Sequence, residues 1–266
     1  LLDVIRESCG LADFADVVEE ARSFLSLPRP KPAPATKKRP GTPAPSGSAE
    51  AARRLFAMSQ PISGTPVETY LRHRGITALH GTGNLRFHPR CYYRPDDHGP
   101  TETWPAMIAA VTDLRGAITG AHRTWLAPDG SDKAPIETQR KAMGDLLGHA
   151  VRFGNAGEVM AAGEGIESVL SARQAIPHMA MAAALSAAHL AAILFPETLR
   201  RLYILRDNDP AGDGARDNLV ERANAAGIEA IVLSPVLEDF NEDLRRLGLD
   251  ALRASLRVQL APQDVA

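Results

Sequence analysis

From residue 157 onward, short apolar runs alternate with helix-like segments. That alternation confines the C-terminal half to a mostly parallel sheet with helices on both faces. Glu158–Ala162, Met179–Leu185, Arg201–Leu205 and Ile228–Leu233 read as strands. Ile166–Gln174, a Ser186-capped run to about Leu194, and Ala211–Ala226 closed by Gly227 read as the intervening helices. Phe240–Leu247 reads as a further helix, ended by Gly248. In sheets of this kind ligands sit at the carboxyl ends of the strands.

Acidic residues fall at those ends. Glu164 follows the first strand in Gly163-Glu-Gly-Ile-Glu167, where flanking glycines allow a sharp turn and close approach of a ligand. Asp207 and Asp209 follow the third strand in Arg206-Asp-Asn-Asp-Pro-Ala-Gly212. Asp239, Asn241 and Asp243 follow the fourth. Two carboxylates at positions i and i+2 of a strand end make a natural Mg²⁺ site, because that hard ion takes a few carboxylates and keeps several waters. Taken singly, Asp207-Asn-Asp209 reads equally well as an Asx turn capping a helix. Convergence of three clusters on one rim favours a bound cation, since crowded carboxylates repel. The same crowding should raise the pKa of Glu164 when no metal is bound.

The preceding chain differs in character. Residues 3–25 read as short helices, and residues 28–48 as a linker with seven prolines among Ala, Ser, Gly and basic residues. Ala49–Met58 and Thr65–Arg74 read as helices; residues 84–126 read as β structure, with a hairpin turning at Asp113-Leu-Arg-Gly116. Residues 128–156 read as loop-rich and basic, carrying Lys133, Arg140, Lys141 and Arg152. The expected organisation is a helical segment over 1–27, a linker over 28–48, a smaller basic α+β domain over 49–156, the α/β sheet domain over 157–250, and a tail over 251–266. The net charge of −2 conceals a segregation. Residues 50–156 hold thirteen bases and ten acids, whereas residues 157–250 hold eight bases and fifteen acids. A basic surface beside an acidic site suits a protein that holds a polyanion and divalent cations, although solvated faces of opposite sign read the same way.

Several classes are disfavoured. Cys9 and Cys91 cannot make a disulfide framework or a four-cysteine zinc site. No apolar run reaches membrane-spanning length, and no signal peptide is evident, so a cytoplasmic protein without membrane attachment is expected. The chain opens on Leu1-Leu2, as a fragment of something longer would. No Gly-Lys dipeptide occurs, hence no Walker A loop. The histidines, including His122 and His189, lack metal-ligand spacing and read as surface or internally satisfied residues. Trp125 and Tyr203 read as core, and nothing marks Tyr70, Tyr92 or Tyr93 as a nucleophile. Ser168 and Ser171 have no His and acid partners in a triad pattern.

The order of Glu164-Gly165, Asp207-Asn-Asp209 and Asp239-Phe-Asn241 resembles the Toprim domain of bacterial replicative primases, topoisomerases and some nucleases. Gly163-Glu-Gly-Ile-Glu-Ser168 and Asp207-Asn-Asp-Pro-Ala-Gly212 resemble its plasmid and phage primase-like branch, over about residues 155–250. Lys133–Lys141, followed by Gly144 and Gly148, is similar to the basic segment ahead of Toprim in primases. Residues 3–25 resemble the helical tail behind a primase zinc-binding domain, whose ligands are not here, so no zinc site is expected in this chain.

The resemblance implies a Mg²⁺-dependent nucleotidyltransferase, with Mn²⁺ as a substitute ion, making primers on single-stranded DNA from nucleoside triphosphates. It implies Glu164, Asp207 and Asp209 as catalytic, these three and Asp239 as metal-binding, and Lys133, Arg140 and Lys141 as phosphate-binding. Gly165, Glu167, Asn241 and Asp243 would support them. A helicase or a zinc module, in trans or in a longer parent chain, is the implied partner. A Toprim endonuclease and a noncatalytic nucleic-acid-binding adaptor are the alternatives. A topoisomerase would need a nucleophilic tyrosine outside Toprim and a much longer chain.

Overall fold

The computed structural model describes residues 47–95, 100–208 and 210–265, all within one compact unit. The expected helical segment over 1–27, nearly all of the linker, and Asp209 lie outside the described residues.

Two helices open the unit. α1 (Ala49–Met58) starts where Ser48 accepts from the Ala51 amide at 3.1 Å. α2 (Pro66–His73) begins at a capping Thr65, and the Glu68 carboxylate takes the Gly64 amide at 2.7 Å. An antiparallel sheet follows in the order β1 (Leu85–Tyr93), β2 (Glu102–Thr112), β3 (Ile118–Trp125), β4 (Arg140–Gly144). The hairpin expected at Asp113–Gly116 is present, with Gly116 at a φ of 80°. β4 was not evident from the sequence: its first two residues are basic, and it exists because it pairs with the exposed edge of β3.

The second sheet has the order β5 (Val151–Phe153), β7 (Met181–Ala183), β6 (Val159–Gly163), β8 (Arg201–Leu205), β9 (Glu229–Leu233). All pairings are parallel except β5 with β7. α3 (Ile166–Ala175), α4 (Ala187–Ala191) and α5 (Pro210–Ala225) are the crossovers, and α6 (Phe240–Leu247) and α7 (Leu249–Arg257) close the chain before a 3₁₀ turn at Pro262–Asp264. The segment expected as a tail from 251 thus begins inside a helix, because Leu249, Leu252 and Leu256 form an apolar stripe at helical spacing. β7 is shorter than the apolar run that suggested it: Leu185 turns out of line at a φ of 79°. α4 also stops three residues early, at Ala191.

Side-chain alternation explains the layers. Ala161, Tyr203 and Leu205 face α3, α6 and α7; Met160, Ala162, Leu202 and Ile204 face the opposite way, towards α4 and α5. The antiparallel sheet is also two-sided. Ala106, Ile108 and Ala110 pack with Phe56 of α1 and with Trp125, whose ring meets Tyr93 edge-on at 5.1 Å. Met107, Ala109 and Val111 join the core of the parallel sheet beside Val151 and Phe153. The two sheets therefore share one core. Trp125 and Tyr203 are both buried, as their sequence context suggested. Among the described residues, no helix is long and apolar enough to cross a membrane.

Candidate active site

Register places the acidic loops on one rim. Gly163 lies opposite Ala183 on one side and Leu205 on the other, and Leu205 lies opposite Leu233. Glu164 leaves β6 level with Arg206, one residue before Asp207, and the Glu164 and Asp207 side chains are both half-buried. Gly163 is closely packed, since a Cβ there would sit 3.0 Å from the Leu205 Cβ and 3.1 Å from Val169. Gly165 differs. Its φ of −85° is open to any residue, so the turn is not a left-handed one. A Cβ there would meet only Ser168, at 3.8 Å, which leaves free space above the α3 N-terminus. The Glu164 carbonyl accepts from the Leu185 amide at 2.8 Å, so a strained residue braces the turn.

The other two loops are tied together. The Asn208 amide donates to the Glu238 carbonyl at 2.8 Å, and the Asn208 side chain donates to the Leu237 carbonyl at 3.3 Å. The Asp239 carboxylate caps α6 by accepting the Glu242 amide at 2.6 Å, leaving its second oxygen for other work. Asp243 is fully committed: its two oxygens accept the Val236 and Leu237 amides, both at 2.8 Å, and it is 1% exposed. Asn241 is buried too, donating to the Arg74 carbonyl at 2.8 Å and to Ser171 Oγ at 3.0 Å. Asn241 and Asp243 shape the rim from behind it. Among the described residues, no group of three or more His, Cys, Asp or Glu side chains gathers as a metal cage.

The basic residues divide by strand parity. Arg140 lies opposite Thr124 and shares its face with His122; Lys141 lies opposite Arg123, on the other face. Arg140 and Lys133 reach Glu167 with their charges. Lys141 instead lines an open groove of about 780 Å³ with Arg123, Tyr92 and Arg94. The three cations grouped by sequence proximity therefore serve two surfaces.

A buried polar cluster joins the acidic rim to the basic wall. Tyr70 of α2 donates its hydroxyl to Glu167 Oε1 at 2.6 Å. Burial pushes the Glu167 carboxyl up, but the Lys133 charge, the Tyr70 hydrogen bond and the Arg140 charge outweigh it, and the group is held below its usual range. Burial, reinforced by the Glu167 charge and hydrogen bond, pushes the Tyr70 hydroxyl strongly up. Lys133 is shifted down, mainly by burial, with Glu167 opposing and Arg140 and Arg74 assisting. Arg74 stands over the Tyr70 ring at 5.4 Å and pairs with Asp132 at 3.1 Å. His122, 8% exposed, is pushed down to about 4 by burial, against the pull of Glu167 and with the push of Arg140, Arg123 and Lys133. Its Nδ1 is buried without a hydrogen-bond partner among the described residues, so it is not the satisfied core histidine expected. Tyr70 and His122 were missed as members of the site because neither lies in a motif; the fold alone brings them to Glu167.

Comparison with known proteins finds two matched segments. Residues 46–153 match a family described only as a domain of unknown function (DUF7146), and residues 159–250 match the Toprim domain. A search of curated proteins finds no match. Among solved structures, the zinc-binding and RNA polymerase domains of the Aquifex aeolicus primase superpose with a TM-score of 0.57 at 14% identity, covering 97% of this chain and 70% of that one. A DNA primase domain from Pseudomonas aeruginosa gives 0.54 at 16% identity, covering 79% and 78%. The primase fragment of the bacteriophage T7 primase-helicase gives 0.50 at 14% identity, covering 84% and 82%. The chain thus carries a Toprim domain over residues 159–250, and its fold is primase-like.

Proposed function

We propose that this chain is a primase-like nucleotidyltransferase, joining nucleoside triphosphates on a single-stranded DNA template. One observation carries the reading. The charges of Lys133 and Arg140 both act on Glu167, three residues beyond Glu164, which supports a basic wall beside the carboxylate rim. A triphosphate needs both surfaces, cations for its outer phosphates and carboxylates for the ion it carries.

The donor set fits Mg²⁺: Glu164 and Asp207 are hard oxygen donors at adjacent strand ends, beside the free space over Gly165. Glu164, Asp207, Asp209 and Asp239 would hold the ion, which supplies neutralisation of phosphate charge when bound. Mn²⁺ has the same donor preference. Lys133 and Arg140 bind and orient the triphosphate. Glu164 accepts the proton of the 3′-hydroxyl as that oxygen attacks the α-phosphate and pyrophosphate departs. Glu167 and Tyr70 position Lys133. The T7 relative is part of a primase-helicase, and the Aquifex aeolicus structure carries a zinc-binding domain. A helicase or a zinc module is accordingly the partner class we assign, and the cytoplasm the compartment.

The test uses α-phosphate-labelled nucleoside triphosphates on single-stranded DNA, and in parallel end-labelled DNA with unlabelled triphosphates, each with Mg²⁺ or Mn²⁺ and with native protein beside Glu164→Gln. New or longer labelled products, lost in the variant, are expected. Shortened products lost in the variant would replace the reading with a Toprim endonuclease. DNA binding by both proteins, with no product from either even after a helicase and a zinc-binding domain are added, would replace it with a noncatalytic adaptor.

A further inference from the structure

A cavity lined by basic residues lies away from the carboxylate rim. β5 runs antiparallel to β7: Val151 pairs with Ala183 at the Glu164 end, and Phe153 pairs with Met181 at the other. Beyond Phe153 the chain enters an open cavity of about 590 Å³, formed with the β2–β3 turn. Gly83, Asn84, Asp113, Arg115, Arg152 and Asn155 contribute to its walls. This volume is within the range of small-ligand sites and exceeds the needs of a single water or ion.

Arg152 dominates the chemistry. Its backbone is fixed, with its carbonyl accepting from the Asn84 side chain. Its Nε and Nη2 are both buried and lack a hydrogen-bond partner among the described residues. Two buried guanidinium nitrogens without acceptors are costly, and the half-buried side chain lines the cavity, where an oxyanion would offset its charge. Asp113 shares the cavity wall and its charge acts on Arg152, while its Oδ1 is taken up by the turn. Asp113 Oδ1 accepts the Arg115 and Ala117 amides at 2.9 and 2.8 Å, which holds the β2–β3 turn together. Arg115, exposed on the same turn, adds a second cation at the rim. The glycines of the walls let a tetrahedral anion approach the backbone closely.

We propose that this cavity binds a phosphate group, with Arg152 as its principal ligand and Arg115 as an auxiliary one. The phosphate can come from a nucleic-acid strand leaving the cleft or from a free nucleotide, and the two sources are separable. Binding needs neither a metal nor turnover, so the proposal stands whether or not the chain makes primers.

The test uses the full chain in EDTA, with Lys133→Ala as the parent so that the cleft contributes little. Pyrophosphate is titrated calorimetrically. Adding Arg152→Gln should weaken binding about tenfold or more, and adding Arg115→Ala about threefold. Equal affinity in parent and Arg152→Gln, at an unshifted melting temperature, overturns the proposal. Should Arg152→Gln melt lower, the exposed Arg115→Ala decides, and an affinity equal to the parent's overturns it. The salt dependence of labelled single-stranded DNA binding then identifies the source. A slope reduced by about 0.7 in Arg152→Gln assigns a strand phosphate. An unchanged slope with weakened pyrophosphate binding assigns a free nucleotide.

Discussion

Tyr70 donates to Glu167 across 2.6 Å, joining α2 to the first turn of α3 over 97 positions of sequence. The bond joins a helix ahead of the antiparallel sheet to one within the parallel sheet layer, and ends on the carboxylate that the Lys133 charge stabilises. Tyr70→Phe removes the donor and leaves the carboxylate buried. A loss of about 2 kcal/mol in denaturant unfolding is expected, the range for a hydrogen bond to a charged group. An unchanged midpoint would show that water replaces the hydroxyl at no cost.

His122 makes stability depend on acid. Its folded pKa lies near 4 and its unfolded value near 6.5. The unfolded chain therefore binds a proton that the folded chain refuses, and stability falls as pH drops from about 6.5 towards 4. The loss attributable to His122 is on the order of 3 kcal/mol across that window. In His122→Gln the pH dependence between those limits should flatten. Glu167, whose folded pKa is depressed, works in a lower window: its contribution is present above its unfolded value and is lost as pH falls through the folded one.

Asp243 and Glu164 should separate stability from activity. Asp243→Ala strips two backbone amides of their acceptor and should cost about 3 kcal/mol. Glu164→Gln keeps the size of the side chain and its capacity to accept a hydrogen bond, and should leave the melting temperature close to that of the native chain. It should abolish product formation in the primer assay. A variant of Asp243 as stable as the native chain would contradict the role given to its two hydrogen bonds.

Lys133 and Lys141 should differ although both lie in one basic segment. Lys133→Ala should weaken nucleoside triphosphate binding about tenfold, and Lys141→Ala should change it by less than about twofold. Equal losses in filter binding or calorimetry would mean that the two faces of β4 serve one ligand.

How legible this was from the sequence depended on the range of the interactions. β8 was read at its exact limits because Arg201–Leu205 is a compact apolar run between a loop and an acidic turn. α6 was equally plain, with Asp239 ahead of it and Gly248 behind. β4 escaped because a short edge strand needs only a partner, and its partner supplies the apolar contacts. Among the site residues, the placement of Glu164 and Asp207 at strand ends followed from local pattern. The assignments of Asn241 and Asp243 to loop and helix packing did not, since they rest on Arg74, Ser171, Val236 and Leu237. The split of Arg140 from Lys141 is a matter of parity, which is unknown until a strand is recognised as one.

The shared core has a mechanical corollary. Met107, Ala109 and Val111 of the antiparallel sheet are embedded among Val151, Phe153 and the α3 side chains, so no greased seam separates the two halves. Such a jaw cannot swing open as two rigid lobes without exposing apolar surface at roughly 25 cal/mol per Å². A substrate of the proposed kind would meet two walls of nearly constant separation. Selectivity between substrates then falls to the short loops at the lips of the cleft, above all the pair that Asn208 laces together.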